Sequence, residues 1–226
     1  MASLGQQLYT CLIAKERWLL ILEGLGNTLL IALGAIILGT LIGGILALMR
    51  LSNNWLLRGI SYLYITIIRG VPMVLQLMIF YFVILAPIKG MPKMVIAIIS
   101  FGVNSGAYVC EIFRAGIQSI PVGQTEAGRS LGLSKWQTLG YIVLPQAFKA
   151  VIPTYANEFI VLIKETAVAG YIAMRDLTKA ADLIRNATFN AWIPLLASAV
   201  IYLCLTLGLA KLFGTLERRM ARSDRR

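Results

Sequence analysis

An all-α membrane protein with about five transmembrane helices is the fold class this chain predicts, and three observations carry it. Of the 226 residues 58% are hydrophobic and only 14% are charged, where soluble domains carry about 25% charge. The apolar residues gather into stretches close to the ~20 that span a hydrocarbon core. Polar connections between the stretches are short, so the chain reads as a single transmembrane unit over residues 1–226 with no separate soluble domain.

Net charge is +11, from 21 Lys plus Arg against 10 Asp plus Glu, with no His. The excess sits in short loops and in a basic tail over residues 213–226 that holds Arg218, Arg219, Arg222, Arg225 and Arg226. No basic face interleaved with aromatics is present, so the charge speaks for membrane topology and against nucleic acid. Cys11, Cys110 and Cys204 lie far apart, without paired spacing or a His to complete a metal site, and read as small core hydrophobes. No basic segment followed by a cleavage site marks a removable signal peptide, so the first span is expected to stay.

Residues 1–22 mix Lys15, Glu16 and Arg17 with Trp18 and aliphatics, which suits a short interfacial helix. The first span follows from Asn27 to Met49, with Gly39 and Gly43 at the spacing that lets helices approach closely. Residues 56–86 form a second apolar stretch broken at Arg69, Gly70 and Pro72, because proline removes a helix donor and clashes with the preceding turn. Further spans run from Met94 to Phe113, Ala150 to Met174 and Trp192 to Leu212. If the tail is cytoplasmic, that side holds Arg50, Arg58, Arg114, Arg129, Lys135, Lys149, Lys211 and the tail arginines. The opposite side holds fewer cations: Lys15, Arg17, Lys89, Lys93, Arg175, Lys179 and Arg185. Positive charge favours the cytoplasm, so the N-terminus is expected outside and the loop 114–149 inside.

That loop carries legible punctuation. Pro121 suits the first turn of a helix and Gly132 the left-handed residue that ends one. Ser134 with Gln137 forms a capping-box pattern, which predicts a second short helix reaching Leu144 before Pro145. Leu131, Leu133 and Trp136 place apolar groups on this polar segment. They either form a partner surface or pack back on the bundle.

Glu126, Ala127 and Gly128, then Gly132, then Ile142, Leu144 and Pro145 resemble the EAA loop of ABC importer permeases in every spacing. Gly128 stands where the family pattern has Ala. The segments Arg69–Gln76, Ser105–Gln124, Asn157-Glu158 and Lys164-Glu165-Thr166 are similar to the branch serving polar amino acids: histidine, glutamate, glutamine, arginine and opines. Thr166-Ala167-Val168 departs from the commoner Thr-Ser-Leu wording, so no serine hydroxyl serves there. The resemblance spans about residues 24–219. It implies a type I ABC importer permease fold whose loop, through Glu126, Ala127, Gly128, Leu131, Gly132, Leu133 and Trp136, docks on an ABC ATPase dimer. It further implies a second permease subunit, an extracellular or periplasmic amino-acid-binding protein and alternating access. ATP and magnesium would belong to the ATPase, and this chain would hold no cofactor.

Ionisable groups at membrane depth are costly, so Arg69, Glu111, Glu158 and Lys164 should face protein, water or one another. Glu111 and Arg114 can pair at their three-residue spacing. A zwitterion needs donors for its carboxylate and acceptors for its ammonium, which Gln76, Asn104, Ser105, Glu111, Asn157 and Glu158 offer as a candidate substrate path. The same polar groups could simply join helices by hydrogen bonds. No P-loop, zinc cluster or nucleophile elbow occurs, so the chain is not read as an enzyme. A self-contained secondary transporter or channel is the competing reading. The loop pattern and the lack of an evident inverted repeat speak against it.

Overall fold

The computed structural model describes residues 3–223, and every regular element among them is helical. Helix α1, Leu4–Leu8, runs into a π-turn at Tyr9–Ile13 and a 3-10 turn at Ala14–Glu16. The left-handed backbone at Lys15 and Glu16, φ 56° and 53°, stops this segment. The predicted element over residues 1–22 is therefore shorter. Helix α2 already starts at Trp18 and continues to Leu51 over 34 residues. At 1.5 Å per residue that is about 50 Å, well beyond a ~30 Å hydrocarbon core.

Two pieces replace the second span: α3, Trp55–Gly70, and α4, Met73–Ile79, which is extended by a π-turn at Phe80–Ile84. They meet at 106° across Val71 and Pro72, the predicted break. Next comes α5, Lys93–Gln118, then α6, Val122–Ser130, and α7, Lys135–Thr138. A π-turn at Leu139–Val143 joins α7 to α8, Leu144–Glu165, which passes into a 3-10 turn at Thr166–Ile172. The chain closes with α9, Leu177–Thr188, and α10, Trp192–Ser223. The fifth predicted span thus has no boundary at Leu212. Its helix carries Arg218 and Arg219 with it, while Arg225 and Arg226 lie outside the described residues.

By length and apolarity α2, α5 and α10 cross a membrane alone, and the bent α3–α4 pair makes a fourth crossing if it is one span. Packing decides that it is. Gly34 lies against Ile98, Gly39 against Ser105 and Gly43 against Val109 and Cys110, so contacts advance together and α2 runs parallel to α5. A chain that descends through α2 and again through α5 must return between them, and only α3 and α4 lie in that interval. Helix α8 runs antiparallel to α5: Gly116 meets Ala147 and Val151, and Ser105 meets Glu158. Its 22 residues reach about 33 Å, enough to cross, but Asn157, Glu158 and Lys164 lower its apolarity. Antiparallel α10 packs on it through Phe159 and Phe213. The five crossings put the loop between α5 and α8 at one end of the bundle, and the N-terminal segment with α9 at the other.

Small residues build the seam. A Cβ on Gly43 would stand 2.8 Å from the Cys110 backbone nitrogen, and one on Gly106 2.8 Å from Ile42. The opposite side of α2 leaves Leu33, Ile37, Leu41, Ile45 and Leu48 exposed at helical spacing, as a lipid-facing stripe should. Cys11 and Cys110 are buried as expected, whereas Cys204 is exposed on α10.

Candidate functional site

The loop folds into the predicted pair of helices. At the end of α6 the Leu133 N–H donates to the Gly128 carbonyl at 3.2 Å and the Gly132 N–H to the Arg129 carbonyl at 3.0 Å. These two bonds form a Schellman closure around Gly132, whose φ of +83° only glycine adopts freely. Helix α7 then opens on a complete capping box. The Gln137 N–H donates to Ser134 Oγ at 3.2 Å, and the Ser134 N–H donates to Gln137 Oε1 at 2.8 Å.

Its predicted end at Leu144 is not observed, because the helix passes straight through Pro145. Proline lacks an N–H and crowds the carbonyl one turn back. Here the wider π-turn before it, closed by the Leu144 N–H on the Leu139 carbonyl, precedes Pro145 at the start of α8. The elbow is thereby continuous with α8. Gly128 acquires a reason as well. A Cβ there would stand 2.7 Å from Ile142 Cδ1 and 2.8 Å from Thr138 Cγ2, so α6 lies directly on the segment after it.

Leu131 and Trp136 do not pack back on the bundle. They are 81% and 74% exposed on opposite sides of the bend, beside exposed Glu126 and Ala127, while Leu133 is half-buried. Arg129 donates from Nη1 to the Leu133 carbonyl at 2.8 Å and braces the bend from within. The elbow thus leaves two large apolar side chains in solvent.

The six path residues separate into four settings. Gln76 is buried and donates from Nε2 to the carbonyls of Ile68 and Val71, at 2.6 and 2.7 Å, while its Oε1 accepts from Asn104 at 3.3 Å. It fastens the α3–α4 bend to α5. Ser105 Oγ donates to Glu158 Oε1 at 2.9 Å, which joins α5 to α8. Glu111 is engaged by two arginines, Arg114 at 2.5 Å and Arg50 at 3.8 Å, and so ties the ends of α2 and α5. Asn157, next to Glu158, points to an exposed side of α8.

The family model for inner membrane components of binding-protein-dependent transport systems matches residues 19–222. This chain belongs to that family. The permease is 35% identical to the glutamine transport system permease protein GlnP of Escherichia coli K12 over 203 residues, covering 89% of this chain and 93% of that one. It is 37% identical over 212 residues to the arginine transport system permease protein ArtQ of Bacillus subtilis, covering 90% and 94%. Among solved structures, the crystal structure of an amino acid ABC transporter with histidines aligns at a TM-score of 0.86 and 36% identity, over 97% of this chain and 99% of that chain. The permease is thus a multi-pass inner-membrane protein with the type I importer permease fold. It works with a separate ATPase and a binding protein and does not itself hydrolyse ATP.

Three tyrosine contacts in the permease escaped sequence reasoning. The Arg69 guanidinium stands 5.1 Å from the centroid of the Tyr108 ring, a cation–π contact between α3 and α5. Arg50 does the same with Tyr62 at 5.2 Å while reaching Glu111. Tyr155 of α8 shares a 2.5 Å hydrogen bond with Thr40 of α2. One signal was available: Tyr108 lies three residues, about one turn, from both Ser105 and Glu111 on α5.

Proposed function

We propose that the permease carries a polar amino acid into the cell, driven by ATP hydrolysis on a separate ATPase dimer that grips the elbow at residues 126–136. The observation that carries this reading is the pair Leu131 and Trp136, exposed on a bend held rigid by a Schellman closure and a capping box. Because the elbow is helically continuous with α8, a push on it becomes a tilt of the helix bearing Glu158. In this reading the N-terminus lies outside, the C-terminal end of α10 in the cytosol, and a second permease subunit, identical or paralogous, completes the pathway. The relatives named for glutamine and arginine transport support a polar amino acid as cargo.

The test is uptake by the reconstituted complex, with binding protein outside and ATP inside. Gly132→Pro destroys the left-handed closure and Glu126→Lys reverses a charge on the docking face. Each is expected to lower uptake at least tenfold while the permease still inserts into the membrane. Normal uptake by either variant would remove the elbow from the mechanism.

A further inference from the structure

The two halves of the elbow press together at a point where one side carries no side chain. Gly128, buried in the last turn of α6, faces Thr138 at the end of α7 and Ile142 one helical turn later in the π-turn. A Cβ at Gly128 would stand 2.8 Å from Thr138 Cγ2 and 2.7 Å from Ile142 Cδ1, where ordinary contact is 3.4–4 Å. Helix propensity does not select this glycine, since alanine is the better helix former. Closeness of approach does. The two obstacles differ in stiffness: Ile142 meets the position with the far end of its side chain, which can turn aside, whereas Thr138 is β-branched and restricted at χ1. Thr138 is also fully buried, and its Oγ1 has no hydrogen-bond partner among the described residues. It acts here through its shape, and its hydroxyl stays unused.

This contact lies between the groups that form the exposed face of the elbow. Glu126 and Ala127 precede Gly128 on α6, and Trp136 precedes Thr138 on α7; all three are exposed. We propose that Thr138 gauges the elbow: its methyl, seated against the bare backbone of Gly128, sets how closely α6 lies on α7 and so the spacing at which Glu126 and Trp136 meet the ATPase. Both members of the pair are buried, so they are positioning residues and not docking residues. A methyl added at Gly128 pushes α6 away by about 1 Å before ordinary contact is restored. One removed from Thr138 leaves a gap into which α6 settles. Either change alters the docking face without touching a residue on it. The other side-chain ties across the elbow are Arg129 Nη1 to the Leu133 carbonyl at 2.8 Å and Gln146 Nε2 to Gln124 Oε1 at 3.3 Å. Long side chains make both, and they follow such a shift rather than resist it.

This assignment rests on the reading that the elbow docks on the ATPase, and the experiment separates the two. Uptake per ATP hydrolysed is measured on the reconstituted complex with binding protein, beside the melting midpoint of each solubilised permease. Gly128→Ala and Thr138→Ser should each lower that ratio, the first by about fivefold or more, while the midpoint stays near the parent's. The double variant, which adds one methyl to one side of the contact and removes one from the other, should return the ratio to within about twofold of the parent's. Thr138→Val keeps the shape and drops the hydroxyl, and it should couple as the parent does. An unchanged ratio in Gly128→Ala, no recovery in the double variant, a loss in Thr138→Val equal to that in Thr138→Ser, or a ratio that falls only in step with the midpoint overturns the gauge. The elbow reading survives any of these as long as Gly132→Pro and Glu126→Lys lower uptake. If those two variants take up solute normally, both readings fail. Should Gly128→Ala not insert, the double variant is compared with Thr138→Ser alone: recovery supports the gauge and further loss overturns it.

Discussion

Asp176 and Asp182 belong to one short stretch around α9, yet their carboxyls are driven in opposite directions. Asp176 is fully buried as the N-cap of α9, accepting from the backbone N–H groups of Thr178 at 2.9 Å and Lys179 at 3.2 Å. Burial pushes its carboxyl above the usual range, against the pull of those two donors. Asp182 lies on the outer face, where the Lys179 hydrogen bond at 2.9 Å and the Arg185 ion pair at 2.5 Å hold it below that range. The linkage signs follow. A raised carboxyl binds its proton more tightly in the fold, so stability falls as pH climbs from about 3.9 through the shifted value. A lowered one contributes stability above about 3.9 that disappears on further acidification. In melting curves of the solubilised permease, Asp176→Asn, which keeps a capping oxygen, should be at least as stable as the parent at pH 7, with any advantage shrinking toward pH 4. Asp182→Asn should be less stable by ~0.2–1 kcal/mol at pH 7, with the difference shrinking as the pH falls below about 3.9. Asp176→Ala, with no cap, should cost ~1 kcal/mol at pH 7 and more toward pH 4. Equal pH slopes for the two Asn variants would contradict this division.

Among the helices, α2 and α5 carry the most consequential packing, and glycine makes it possible. A valine at Gly43 would thrust methyls into the Cys110 backbone and Val109, so α2 and α5 would have to part, at a cost of ~1–3 kcal/mol. A Cβ on Gly59 of α3 would meet nothing within 4 Å, and that position serves as the control. Gly43→Val should therefore lower the melting midpoint while Gly59→Val leaves it near the parent's, and similar losses for both would show that the seam is not special. The spacing of Gly39 and Gly43 announced one side of this seam, because a four-residue repeat is local information. Its counterparts Gly102 and Gly106 repeat that spacing, but nothing in a linear pattern pairs them with α2. Helix ends are less legible for a related reason. The left-handed pair Lys15–Glu16 and the π-turn before Pro145 depend on surroundings that propensity does not encode. The elbow was legible up to Pro145, since a proline, a glycine and a capping box act over three or four residues. The intramembrane pairs were not, since Ser105–Glu158 and Arg69–Tyr108 join helices far apart in sequence.

Across the molecule, parallel α2 and α5 force an intervening return, antiparallel α8 and α10 add two more passes, and the odd total leaves the two chain ends on opposite sides of the membrane. Geometry gives that parity but not which end is cytosolic, and charge supplies the argument for one orientation. The elbow end gathers Arg50, Arg58, Arg114, Arg129, Lys135 and Lys149, with Arg218 and Arg219 at the close of α10, against a sparser set around Lys89, Lys93 and α9. Cations flanking short loops are retained in the cytoplasm, so the elbow should be inside. Single cysteines in a background where Cys11, Cys110 and Cys204 are replaced by alanine distinguish the two orientations. With a membrane-impermeant maleimide on intact spheroplasts, Lys89→Cys, in the α4–α5 connection, should label at once. Gln137→Cys, on exposed α7, should label only after permeabilisation. The opposite order would turn the elbow away from the compartment that holds ATP, and no intracellular motor could then reach Leu131 and Trp136.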